Sequence, residues 1–120
     1  MKILLTFLLM IFTMTSGELS AEVTRNLILK QVDSKKVCMV NDTFFDRDQI
    51  PVTVGKNTYY GCCENCKKTL SEDKKSRVAM DPVSKKEVDK SKAVIGATPK
   101  GKVYYFESQK NLKKFNAAKN

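Results

Sequence analysis

One stretch of this chain is written twice, and that repetition limits the fold more than any other feature. Gly55-Lys56-Asn57-Thr58-Tyr59-Tyr60-Gly61-Cys62-Cys63-Glu64-Asn65-Cys66-Lys67-Lys68-Thr69-Leu70 is matched by a later segment. That segment is Gly101-Lys102-Val103-Tyr104-Tyr105-Phe106-Glu107-Ser108-Gln109-Lys110-Asn111-Leu112-Lys113-Lys114-Phe115. Aligning the tyrosine pairs sets Cys62 over Glu107, Cys63 over Ser108 and Cys66 over Asn111. Upstream, Val37-Cys38 falls near Val83-Ser84. The chain therefore reads as two copies of one unit, residues 32–75 and 77–119, with every cysteine in the first.

Each copy carries the same local signals. Val52-Thr53-Val54 alternates as a strand, Gly55-Lys56-Asn57 turns, and Thr58-Tyr59-Tyr60 returns. A helix is expected from about Cys63 to Asp73. In the second copy, Ala93-Val94-Ile95 pairs across Thr98–Gly101 with Val103-Tyr104-Tyr105-Phe106. A helix follows, with Ser108 as its cap and Leu112 and Phe115 turned inward. The tyrosines read as hairpin packing. The expected class is α+β: two small tandem units, each a knuckle, a β-hairpin and a C-terminal helix.

The N-terminus belongs to neither unit. Lys2 precedes an apolar run from Ile3 to Phe12, and small and polar residues continue to Ala21. That is the layout of a secretory signal peptide, and the run is shorter than the ~20 residues a spanning helix needs. Three segments result: 1–21 as signal peptide, 22–75 as the cysteine-bearing unit and 76–120 as the cysteine-free unit. The mature protein is expected to be exported, periplasmic or secreted, without stable membrane insertion. Domains this small often rely on metals or disulfides as staples.

The charge is strongly basic, with 22 Lys+Arg against 13 Asp+Glu, net +9. Export argues against nucleic acid as the partner, and the lysines are scattered in pairs, as in a solvated coat. Histidine is absent. That removes the usual general base and the commonest nitrogen ligand for metals, so no enzyme is expected.

The four cysteines carry the remaining chemistry. Cys62 and Cys66, four apart at a helix start, project from one face. The helix N-terminus, with Lys67 and Lys68 close by, is expected to favour their thiolates. Cys38 would come in from the knuckle as a third sulfur. Soft thiolates select Cu(I) or Zn(II) over hard ions. A closed zinc site wants four ligands, so three sulfurs suit Cu(I) better, with Zn(II) the alternative and mercury third. The site residues are Cys38, Cys62 and Cys66; Cys63 and Met39 are further candidates. Cys63 also fits a buried stripe with Cys66 and Leu70, and Met39 reads equally as core. Two other readings stay open. Four cysteines in an oxidising compartment can form two disulfides in three pairings, stapling an interaction module without metal function. Cys62/Cys63 or Cys63/Cys66 can act as redox thiols, although the βαβ context of such motifs is missing.

The first copy resembles the TRASH domain, whose pattern is Cys, a long gap, Cys, three residues, Cys. Cys38 and Cys62-Cys63-Glu64-Asn65-Cys66 match it, with a gap slightly longer than usual. The second copy is similar to the YHS domain in Asp81-Pro82-Val83-Ser84 and in Gly101-Lys102-Val103-Tyr104-Tyr105-Phe106. The resemblance covers nearly all of the mature chain. It implies treble-clef-like units and heavy-metal handling, copper above all, with a metal transporter or another metal-handling protein as partner. Where YHS domains carry cysteines, this copy has Ser84, Glu107 and Asn111, so its own metal site would be lost.

Overall fold

The hairpins form where turn chemistry sits between β-favouring runs. In the computed structural model, which describes residues 28–118, strand β4 (Ile50–Val54) pairs antiparallel with β5 (Asn57–Gly61) across the two residues Gly55 and Lys56. Helix α1 (Glu64–Glu72) follows, with Cys63 as its N-cap and Asp73 as its C-cap. In the second half, β8 (Val94–Ala97) pairs with β9 (Val103–Phe106), and α2 (Gln109–Ala117) follows. The Ser108 side chain accepts a hydrogen bond from the Asn111 N–H at the start of α2. Each hairpin is preceded by a shorter one. β2 (Val37–Cys38) pairs with β3 (Thr43–Phe44), and β6 (Val78–Met80) pairs with β7 (Glu87–Asp89). The class is α+β, with short hairpin, longer hairpin and helix in that order twice. The segment read as a signal peptide lies outside the described residues. No helix among the described residues is long and apolar enough to cross a membrane.

Two features are not local. Strand β1 (Lys30–Val32) precedes the first unit's hairpins, yet it pairs with β8 and makes the sheet order β1-β8-β9. Both the N–H and the C=O of Leu29 bond to the Asn116 side chain of α2. Moreover, one main core serves both halves. Val37, Met39, Val52, Tyr59 and Leu70 pack in the same cluster as Val88, Ile95, Ala97, Val103 and Tyr105.

The tyrosine pairs do not superimpose face for face. Tyr59, the first of its pair, is buried, whereas in the later pair it is the second, Tyr105. Successive strand residues face opposite sides, so a one-residue offset decides which ring enters the core. Each buried ring reaches the other half: Tyr59 donates to Asp89 at 2.9 Å, and Tyr105 donates to Asp42 at 2.8 Å.

A smaller cluster joins Leu29 and Phe106 to Leu112 of α2, with the Phe115 ring edge-on to Phe106 and tilted against Tyr104 at its rim. Gly96 allows this close packing. A Cβ there would lie 2.8 Å from Leu112 Cδ1 and 2.9 Å from Leu29 Cβ. Gly96→Ala is therefore expected to cost about 1–3 kcal/mol by overpacking. Urea unfolding followed by circular dichroism should show a lower midpoint, and an unchanged midpoint would disprove the close fit.

Candidate metal centre

Three elements deliver the sulfurs. Cys38 ends β2 and is fully buried. Cys62 leaves β5, and Cys66 lies in the first turn of α1. The Met39 N–H bonds to the Tyr60 carbonyl at 2.9 Å, which ties the Cys38 loop to the end of β5. Gly61 lets α1 start hard against that strand. A Cβ there would sit 3.0 Å from Cys66 Cβ and 3.3 Å from the Lys67 nitrogen. The missing side chain thus places Cys66 beside Cys62.

The sulfur atoms of Cys38, Cys62 and Cys66 all lie within 4.8 Å of one another. Cys62 and Cys66 are 3.6 Å apart, and all four cysteines are free thiols. An ion about 2.3 Å from each of three sulfurs holds them roughly 4 Å apart. The three donors fit one soft ion without rearrangement of the fold.

The other two candidates are placed differently. Cys63 is exposed, with its sulfur 3.5 Å from that of Cys66, and it stands outside the mutually close trio. It does not join the buried stripe, which runs through Cys66 and Leu70 alone. As the N-cap it sits at the helix start, where the chain still faces solvent. Met39 is fully buried in the main core, as its apolar character favours.

The electrostatics depart from the sequence-based expectation. Cys66 is pushed up to about 12, first by burial and then by the surrounding Cys63, Cys62 and Cys38 sulfurs. The Cys62 thiol is also raised, chiefly through its hydrogen bond with Cys38 and then by burial. Burial works against the Cys38 thiolate too, but the backbone N–H groups of Asn41 and Val40 and the Cys62 thiol outweigh it, and Cys38 is lowered. Cys63 is lowered, first by the backbone N–H of Cys66. Within the converging trio the Cys38 thiol is lowered, while those of Cys62 and Cys66 are raised. Burial, backbone N–H groups and neighbouring sulfurs together set these directions. The Asn41 side chain completes the rim, donating to the Cys62 sulfur at 3.5 Å.

In the second half a carboxylate occupies the equivalent junction. Asp81 follows β6 as Cys38 ends β2, and it is fully buried. Its Oδ1 accepts from the N–H groups of Val83 and Ser84, two and three residues on, at 2.7 and 3.1 Å. Cys38 has the same relation to Val40 and Asn41. Asp81 Oδ2 accepts from the Glu107 N–H at 2.8 Å and from Asn111 Nδ2 at 2.9 Å. Glu107 and Asn111 are the residues aligned with Cys62 and Cys66. Asp81, rather than Ser84, is thus the counterpart of Cys38, and its carboxylate links knuckle to helix start. The sequence showed Asp81 only as part of a resemblance. It offered no sign of Lys90, one of 22 basic residues, which is 5% exposed and not part of a solvated coat. Comparison with protein-family models, with curated proteins and with solved structures finds no match.

Proposed function

We propose that this chain is an exported, non-enzymatic metal-binding protein that captures one thiophilic ion, Cu(I) first, through Cys38, Cys62 and Cys66. The observation carrying this reading is the convergence of the three sulfurs within 4.8 Å on separate elements of one fold. The three converging donors are all soft sulfurs, and they favour Cu(I), Zn(II) and similar ions over hard cations. Buffering, trafficking or resistance would each use such a site, with a metal transporter or other metal-handling protein as the receiving or supplying partner. The twice-repeated order of short hairpin, longer hairpin and helix supports reading the units as treble-clef-like, the first related to TRASH domains and the second to YHS domains.

Zn(II) is the second reading, favoured by one observation. The Cys63 sulfur, 3.5 Å from that of Cys66, is a fourth thiol close to the trio, and closed zinc sites take four ligands.

Elemental analysis of protein isolated without added metal, followed by anaerobic Cu(I) titration of reduced protein, tests the proposal. The expected result is saturation at one ion per chain, with sulfur-to-metal charge-transfer absorption. Absence of any bound metal in both experiments would reject it. Thiol counting on freshly isolated protein separates this reading from a disulfide-stapled interaction module, for which no thiol would be free even after chelation.

A further inference from the structure

Between the ligand Cys38 and strand β3 the chain forms a tight loop, tied to the first unit through the Met39 N–H and held on its other side from the cysteine-free half. Asp42 in that loop has φ 50°, in the left-handed region that residues other than glycine seldom adopt. Such backbone persists where its surroundings over-determine it. Here the side-chain grips come from the cysteine-free half. The Lys90 ammonium donates to the Met39 carbonyl at 2.6 Å and to Asp42 Oδ1 at 3.0 Å. It also lies 5.0 Å from the centre of the Tyr105 ring. The Tyr105 hydroxyl donates to the same Asp42 oxygen at 2.8 Å, and the Val103 N–H donates to the Asp42 carbonyl at 3.0 Å.

We propose that Lys90 and Tyr105 are positioning residues for the metal site, holding the Cys38 loop from the cysteine-free unit without touching the ion. The inference rests on the reading of Cys38, Cys62 and Cys66 as a metal site. Its physical basis is that the three sulfurs come from two pieces, which meet at the Met39 N–H to Tyr60 carbonyl bond but take the rest of their support from different parts of the fold. Cys62 and Cys66 are set by β5 and α1. Cys38 is set by a loop whose next carbonyl is gripped by Lys90. If the grip is lost, the Met39 carbonyl and Asp42 carboxylate seek other partners, and the loop relaxes while the helix-start pair stays in place. The site then opens on the Cys38 side. This gives the cysteine-free unit a function: it preorganises a site in which it has no ligand.

The test uses Lys90→Met, which keeps the buried stem and removes the ammonium, and Tyr105→Phe, which removes one hydroxyl. Cu(I) affinity is measured on the full chain by competition with a chromophoric chelator. Amide hydrogen exchange is measured on the metal-free protein. Groups that orient ligands from outside the coordination shell are worth roughly 10–100-fold in metal affinity, so Lys90→Met should weaken binding by that range. Tyr105→Phe should weaken it several-fold. In the metal-free state, exchange should accelerate in residues 39–43 while the amides of α2 keep their protection. Wild-type affinity in the folded variants, or acceleration spread evenly over the chain, would overturn the inference. Should Lys90→Met fail to fold, Tyr105→Phe decides it alone. A wild-type protein that binds no Cu(I) overturns the underlying reading, and this inference with it. Tight wild-type binding with unaffected variants overturns only the inference.

Discussion

Cys66→Ser is expected to abolish stable metal binding, whereas Cys63→Ser should leave one ion per chain. Cys66 is the hub of the cluster, with the Cys62 and Cys63 sulfurs 3.6 and 3.5 Å away and its own side chain buried. Serine is nearly isosteric, so the fold should persist, but its hydroxyl is a hard and reluctant ligand for a thiophilic ion. Partners outside a coordination shell are already worth roughly 10–100-fold, so loss of a ligand should exceed about 100-fold. Cys63 lies outside the trio and is exposed, and its removal takes away no member of the converging set. If the bound ion were Zn(II) with four sulfurs, Cys63→Ser would weaken binding as well. Competition titrations of both variants, with circular dichroism to verify folding, read this directly. Full stoichiometry and wild-type affinity in Cys66→Ser would refute the site.

The second large effect concerns Asp81. Its carboxylate accepts four hydrogen bonds in a fully buried position and joins the β6–β7 loop to the start of α2. Asp81→Ala removes the acceptor of all four bonds, with Asn111 Nδ2 keeping its 3.5 Å contact to Glu107 Oε2, and a buried hydrogen bond to a charged group contributes ~1.5–3 kcal/mol. A loss of about 3 kcal/mol or more is expected, a large part of the 5–15 kcal/mol that typically stabilises a small domain. Asp81→Asn should also destabilise, because its amide would turn a donor toward the Glu107 N–H and the Asn111 amide.

A pH dependence follows from the same contacts. Burial alone would raise the Asp81 carboxyl, but the Asn111 side chain and the backbone N–H groups of Glu107, Val83 and Ser84 outweigh it, and the group is lowered. A carboxylate lowered in the folded state stabilises above its unfolded pKa, about 3.9. That contribution disappears as pH falls through the still lower folded value. Denaturant midpoints of the metal-free protein should therefore drop below pH 4, and they should drop less in Asp81→Asn. Parallel pH profiles for the two proteins would show that Asp81 is not the group responsible. Asp89 contributes in the same direction. Burial opposes its charge, and the Ser91 hydroxyl and N–H, Tyr59 and Lys92 overcome it.

Local sequence carried the two longer hairpins and the helices to within a residue or two, while the shorter β2–β3 and β6–β7 hairpins were read only as a knuckle. Gly55 and Lys56 sit between β-favouring runs, and Ser108 stands ahead of an amphipathic stretch, so each element announces its own ends. The pairing of β1 with β8 was not legible, since it depends on which open sheet edge lies nearest in the folded chain. The inward choice of Tyr59 but Tyr105 escaped for a related reason: one residue of offset reverses a strand's faces.

The sulfur cluster was legible because its parts obey short-range rules. Cys62 and Cys66 flank the N-cap of one helix, four positions apart, and the repeat placed Cys38 in the knuckle. The thiolate preference was misjudged because burial raises the Cys66 thiol and the Cys38 sulfur raises that of Cys62, and neither effect can be read from a residue's neighbours in sequence.

Taken alone, the sequence determined two units of one pattern, an α+β class, and three sulfurs able to meet. Those outcomes rest on periodicity, turn residues and spacing, which act over a few positions. Only the tertiary structure decided that Asp81 bridges the second junction, that the Cys38 thiol is lowered while those of Cys62 and Cys66 are raised, and that Lys90 grips the loop beside Cys38. The Lys90–Met39 contact spans 51 positions and Tyr105–Asp42 spans 63. Burial and hydrogen-bond partners at such separations exist only once the chain has closed on itself.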